Sequence, residues 1–373
     1  MKAWPILGVT VVQALVLLAH WFLYRTVIAF WPSLSEPGSI GLGAALALLG
    51  GSFIVAALLS FRYSNWLVAL IYKVAAVWLG LLNFIFFAAM LTWLTDFALR
   101  LTLSDAQRLA ARPTVATVYL CLAVLVGIYG ILNARWIRVR DVTVKLGGLP
   151  PSWRGRKAVL VSDLHLGNVV GHRFCRQIVE RTKRLNPDIV FVAGDLFDGS
   201  EADPNKLATP LFTLSPPLGI FVSTGNHEEF GGLAHYVEFL ERGGIRVLNN
   251  ERVIVDGLHI AGVPYGDSTY PMRLRAFLEG LHLGANEASI LLNHVPNRLP
   301  IVEQAGVSLQ LSGHTHGGQI FPFSWITHRA FGKFTYGLQR FGALQVYTSS
   351  GAGTWGPPMR VGTHPEIVLL RFE

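Results

Sequence analysis

Five short polar segments, each closing an apolar run, carry the residues able to do chemistry. "VLVSDLHLG" supplies Asp163 and His165; "IVFVAGDLFDG" supplies Asp195, with Asp198 shortly after it; "IFVSTGNHEE" supplies Asn226 and His227. "ILLNHVP" supplies His294, and "LQLSGHTHGG" supplies His314 and His316. One such Asp or Asn ordinarily caps a turn. Five segments that deliver carboxylate, amide and imidazole together point to bound metal. Mixed imidazole and carboxylate donors suit first-row divalent ions better than the all-oxygen shell of calcium. The donors are too many for one four-coordinate ion, and the absence of thiolates argues against structural zinc. Two ions sharing a carboxylate fit the count. Such a pair, roughly 3.5–4 Å apart, activates a bridging water and clamps the oxygens of an in-line phosphoryl displacement.

For these donors to meet, the segments before them must be strands. From about Arg140 the strand-like runs "KAVLVSD", "DIVFVAGD" and "LGIFVSTGN" alternate with the helical runs "RFCRQIVERTKRLN" and "HYVEFLERGG". "HIAGVPYG", "SILLNH", "VSLQLSGH", "LQVYTSS" and "EIVLLRF" then follow in quick succession. This order predicts an α/β sandwich around a buried sheet, with its site beyond the C-terminal ends of the strands. Gly194, Gly225, Gly313 and Gly317 flank the donors, where a tight turn or close backbone approach excludes a Cβ.

The chain before Arg135 has a different composition. Up to Ala134 it holds seven Lys/Arg and three Asp/Glu, whereas the rest holds 24 and 20, so each part carries +4 of the net +8. No basic tail concentrates that charge, and specific nucleic-acid binding is not expected; an anionic lipid surface or a phosphate substrate accounts for the sign. Four apolar stretches, 5–24, 39–60, 66–94 and 114–134, approach or exceed the roughly 20 residues that cross a bilayer as helix. The expected organisation is thus a four-helix transmembrane region over 1–134, a linker over 135–142 and an α/β domain over 143–373. No span is expected to hold a buried carboxylate, which argues against an ion pathway and makes the helices an anchor. Seven cations (Lys2, Arg62, Lys73, Arg135, Arg138, Arg140, Lys145) fall on the side of the C-terminal domain and four (Arg25, Arg100, Arg108, Arg112) on the other. That imbalance predicts a cytoplasmic domain. Cys121 and Cys175 lie in different parts of the chain and are not expected to pair.

From about Thr143 to Phe372 the motif order "DLH", "GDLFD", "GNHE", "NH", "GHTH" resembles the calcineurin-like metallophosphoesterases. The continuation "GHTHGGQ" and the ending "SSGAGTWGPPMRVGTHPEIVLLRF" are similar to a membrane-associated or exported bacterial branch. The resemblance implies an αββα sandwich and two transition-metal ions (Mn, Fe or Zn) in a dinuclear centre. It implies one ion on Asp163, His165, Asp195 and His316, and the other on Asp195, Asn226, His294 and His314. In an extended segment residues two apart point the same way, so His314 and His316 can each take a different ion. His227 matches the family's non-ligand histidine, which touches the phosphate or protonates the leaving oxygen. Glu228 stands where many relatives have Asp and is expected to orient His227 by a hydrogen bond; Asp198 is expected in a supporting or turn role.

The reaction this implies is hydrolysis of a phosphodiester or pyrophosphate by a metal-bridging hydroxide, in a bacterial inner membrane protein. Beyond the last donors, residues 319–342 are rich in aromatics, with Arg329 and Arg340 as candidate phosphate contacts. A membrane-tethered site suits a lipid-linked or nucleotide-linked substrate by analogy within the family. The alternatives are a phosphomonoesterase or protein phosphatase, and a membrane sensor or scaffold that uses the domain for binding.

Overall fold

The computed structural model describes residues 3–284 and 286–373; Lys2, counted above for sidedness, lies outside them. The chain divides into two units, one holding the N-terminal helices and the other Asn133–Gly356 with Arg360–Glu373.

The first unit contains α1 (Ala3–Phe30), α2 (Glu36–Ser60), α3 (Trp66–Leu99) and α4 (Asp105–Arg135) as far as Leu132. All four are long and apolar enough to cross a membrane. Their starts are written locally. Ser35 caps α2 by accepting from Gly38 N, and Asn65 caps α3 by accepting from Val68 N, each satisfying a donor that the first turn leaves free. Buried polar side chains pair between α1 and α3: Trp78 Nε1 donates to His20 Nε2 at 2.9 Å, and Trp93 Nε1 to Thr26 Oγ1 at 2.9 Å. Two expectations need correction. The fourth span was expected over 114–134, but α4 begins at Asp105 and runs through Pro113, as membrane helices tolerate. A buried carboxylate was not expected, yet α3 continues to Leu99 and Asp96 is 2 % exposed. Arg108 and Arg112 each grip both of its oxygens at 2.9–3.1 Å. Paired twice in this way, the charge is neutralised where it is buried.

The second unit is built on two six-stranded sheets. The first sheet contains β1 (Arg138–Val144), β2 (Lys157–Val161), β3 (Ile189–Ala193), β4 (Ile220–Ser223), β5 (Arg246–Val247) and β12 (Glu366–Phe372), in the order β1-β12-β2-β3-β4-β5. The second contains β6 (Glu251–Val255), β7 (Leu258–Val263), β8 (Ser289–Asn293), β9 (Leu309–Ser312), β10 (Gly337–Phe341) and β11 (Leu344–Thr348), in the order β10-β11-β9-β8-β7-β6. The linker expected over 135–142 is instead the last residue of α4 followed by most of β1, which pairs in parallel with β12 from Arg138↔Glu366 onward. Its alternation of charged and apolar residues is that of a partly exposed edge strand.

Side-chain alternation sets the layers. Ala158, Leu160 and Phe191 meet Ile260, Ile290, Leu292 and Leu311 in the core between the sheets. Val159, Val161, Val190 and Val192 face the other way onto Ile178, Val179, Phe239 and Leu240 of helices His172–Arg184 and Leu233–Arg242. On the far side Ala261, Val263 and Leu291 pack on Leu274, Leu278 and Val302. Period-two strands with both faces buried thus produce the expected αββα sandwich.

Candidate metal centre

β2, β3 and β4 run parallel in one sheet, and β8 and β9 run parallel in the other. The segments that follow these five strands carry Asp163 and His165, Asp195, Asn226 and His227, His294, and His314 and His316. Their side chains converge in two overlapping groups. In one, His294 Nε2 lies 3.1 Å from Asp195 Oδ2, and His314 Nδ1 lies 3.2 Å from His294 Nε2 and 3.0 Å from Asn226 Oδ1. In the other, His165 Nε2 is 3.0 Å from His316 Nε2, which is 3.5 Å from Asp163 Oδ1; Asp195 Oδ2 reaches His165 Nε2 at 3.9 Å. Donors bound to one ion at roughly 2.0–2.2 Å stand about 3 Å apart, so these spacings suit coordination of divalent metal, with Asp195 lying between the two groups.

The backbone is bent to achieve this. Asp163, His165, Asp195, His314 and His316 all have positive φ, between 49° and 68°. Such conformations are unfavourable for residues with a Cβ and gather at sites where the surroundings hold them. Neighbouring glycines make room. A Cβ at Gly225 would collide with Asp195 Oδ1, and one at Gly313 with Asp163 Oδ2. Gly225→Ala is expected to destabilise the fold by about 1–3 kcal/mol through overpacking and to lower metal content; thermal unfolding with elemental analysis checks both.

Electrostatics prepares the donors. Burial pushes the imidazoles of His165 and His316 well below their ordinary value, and burial with the His294 charge brings His314 down to about 3. These rings are therefore neutral at pH 7 and free to coordinate. Burial opposes charge on His294, but Asp195 outweighs it and raises the ring to about 10. Burial likewise opposes charge on Asp195, and the charged His294 beside it outweighs that and holds the carboxylate ionised. His294 Nδ1 faces Ala193 O at 2.7 Å, leaving Nε2 as the atom turned to the centre.

His227 lies beside this centre. Its Nδ1 faces Asp198 O at 2.8 Å, and its ring stands edge-on to His165 at 4.7 Å. Its backbone N–H donates to Asp195 Oδ1 at 3.0 Å. The hydrogen bond expected from Glu228 to His227 is absent. Glu228 instead accepts from the backbone N–H groups of Asp195, Phe197 and Gly225 at 2.7–3.0 Å. The chain between them turns into a short helix, Asn226–Phe230, which sends adjacent side chains to different sides, and the longer acid reaches back to tie two motif loops together. Asp198 accepts from Asn168 N, Ser200 N and Ser200 Oγ, holding its turn closed while its carbonyl orients His227. Arg329 and Arg340 are exposed, in helix Phe323–Phe331 and on β10. Among the described residues neither is joined to the centre by a hydrogen bond or ion pair.

Arg360 was not foreseen. Its guanidinium is fully buried and donates to the carbonyls of Ser350, Gly351, Gly353 and His316 at 2.6–3.3 Å, with Nη2 3.3 Å from His316 Nδ1. Burial lowers it only to about 10, so it stays cationic. The loop it gathers backs Asp163, because Gly353 N donates to Asp163 O at 2.8 Å. A lone arginine in "GPPMRVG" was the only sequence signal, and it gives charge without burial. Arg360→Met should leave several carbonyls without donors and cost about 3 kcal/mol or more, with metal lost from the His316 side first; thermal unfolding and metal titration measure this. Aromatic rings edge the centre as well: Tyr265 and Phe331 each lie 6.1 Å from His314, Phe230 lies 5.8 Å from His227, and Trp355 lies 6.1 Å from it.

Comparison with known sequences agrees with this geometry. The profile described as calcineurin-like phosphoesterase matches residues 156–318. A transmembrane protein with metallophosphoesterase domain from Danio rerio is 31% identical over 341 residues, covering 87% of this chain and 78% of the relative. An uncharacterized metallophosphoesterase from Aquifex aeolicus is 35% identical over 258 residues, covering 68% of this chain and 98% of the relative. A transmembrane protein with metallophosphoesterase domain from Bos taurus is 32% identical over 293 residues, covering 73% and 65%. Together with the four apolar helices, the names of these relatives mark a membrane protein. On these matches, the chain belongs to the family of calcineurin-like metallophosphoesterases.

Proposed function

We propose that the protein is a membrane-anchored phosphoesterase that uses two divalent ions to hydrolyse a phosphodiester or pyrophosphate bond in a lipid-linked or nucleotide-linked substrate. One ion would be held by Asp163, His165, Asp195 and His316, and the other by Asp195, Asn226, His294 and His314. The observation supporting this is the meeting of donors from five strand ends at spacings of 3.0–3.9 Å around the single carboxylate of Asp195. Bound ions would supply Lewis acidity toward phosphoryl oxygens and make water acidic enough to ionise near neutral pH.

The chain's own groups do the rest. Asp195 stays ionised between the two groups and offers Oδ2 to both, while Oδ1 is held by His227 N–H. The carbonyl of Asp198 fixes the proton of His227 on Nδ1, so Nε2 is the atom left to carry a proton to a departing oxygen. Phe230 and Trp355 flank that atom's ring and give an apolar wall to a leaving group. The phosphodiesterase reading and the cytoplasmic placement in a bacterial inner membrane rest on the motif likeness and on the cation imbalance around the spans.

The test is metal analysis of the full-length chain purified in detergent, with a panel of esters. Two ions per chain and hydrolysis of a chromogenic diester or lipid pyrophosphate above a monoester are expected. Bound metal with a preference for monoesters would replace this reading by a phosphomonoesterase, and a chain without metal or hydrolysis would leave a binding role.

A further inference from the structure

The phosphoesterase domain exposes an apolar face that its core does not use. Helix Phe323–Phe331, "FSWITHRAF", has no buried residue along its nine positions. Phe323 is 51% exposed, Trp325 69% and Ile326 63%. Leaving three large apolar side chains of one short helix in water is unfavourable unless something covers them. Exposed cations accompany them, Arg329 within the helix and Lys333 just after it. Trp and Phe beside Arg and Lys is the composition of a helix that lies in a bilayer interface.

This face adjoins the metal centre. Phe331, the last residue of the helix, has its ring 6.1 Å from that of His314. Ahead of the helix, the Gln319 amide donates to Trp355 O and accepts from Trp355 N at 3.0 and 2.9 Å. Trp355 is itself 59% exposed and stands 6.1 Å from His227.

We propose that Phe323–Phe331 is an interfacial anchor whose apolar side chains enter the boundary between lipid headgroups and acyl chains, with Arg329 and Lys333 on lipid phosphates. The occupant is a bilayer because the same chain carries four helices fit to span one, which keeps a lipid surface at high effective concentration. A symmetric pairing of two copies through this face would instead bring their Arg329 and Lys333 cations together. The proposal goes beyond the hydrolytic reading and does not depend on it: it concerns where the domain sits, whatever bond the centre cleaves.

The test uses the full chain in phosphatidylcholine vesicles with and without phosphatidylglycerol. In a Cys121→Ser background, Trp325→Cys or Ile326→Cys is labelled with an environment-sensitive fluorophore. Gln177→Cys, on an exposed position of helix His172–Arg184, is the control. Cys175 is buried and its thiol is pushed up to about 12, so it does not compete for label. Lipids spin-labelled near the headgroup should quench probes at 325 and 326 several-fold more than the probe at 177, with protection from aqueous iodide that grows with anionic lipid. Equal iodide quenching at all three positions, or cross-linking between copies at 325 without lipid quenching, would overturn the anchor.

Discussion

Asp195→Asn is expected to abolish hydrolysis and metal binding together. The carboxylate is the one donor that faces both groups, 3.1 Å from His294 Nε2 and 3.9 Å from His165 Nε2 through the same oxygen. An amide keeps the shape but removes the charge that would hold cations among the imidazoles of His165, His294, His314 and His316. Activity should fall by about 10³-fold or more, and elemental analysis should find less than one ion per chain. Folding should survive. Glu228 binds the backbone N–H of residue 195, not its side chain, so the unfolding temperature should stay near that of the parent without metal. A variant that kept two ions and full turnover would show that the groups are not a shared centre.

The donors were legible because each is local. An apolar run that ends in a glycine and a polar residue marks a strand end whatever the rest of the chain does; His314 and His316, however, do not lie in the extended segment their spacing suggested but at positive φ, so the bent loop places their rings. The αββα layering followed from the same short runs. What the sequence hid depends on distant partners. β1 read as a linker because its edge position leaves Arg140 and Asp141 in water, and only its pairing with β12, the last strand, makes it part of the sheet. Helix α4 seemed to start after Pro113, since the cost of a proline inside a helix is visible in sequence and the neighbours that tolerate it are not.

Glu228 and Arg360 show the same limit within the site. Glu228 adjoins His227 in sequence, and adjacency suggested contact, but one residue of helix rotates a side chain by about 100°, which sends this acid to three amides of the preceding loops. A carboxylate spent on backbone donors fixes loop geometry, whereas one on an imidazole would tune a proton. Arg360 lies far along the chain from His316, and nothing local distinguishes a guanidinium that ends among carbonyls from one that ends in solvent. Helix Phe323–Phe331 showed in the sequence only as an aromatic-rich stretch, because its apolar residues do not keep to the stripe of a helix packed on a core.

His227→Ala separates chemistry from coordination. The ring stands close enough to His165 and Asp195 to be counted with them as a third group of donors, all within 4.8 Å of one another. Its Nδ1, however, faces Asp198 O at 2.8 Å, which leaves one nitrogen to act. If that nitrogen delivers a proton to the leaving oxygen, its removal should lower turnover by about 10²–10⁴-fold while two ions per chain remain. The loss should be small for an ester with an acidic phenol as leaving group, which departs without a proton, and large for an alkyl ester. A ligand role predicts otherwise: metal content would drop, and every ester would suffer alike. The leaving-group series therefore assigns the histidine even if total activity falls by the same amount in both cases.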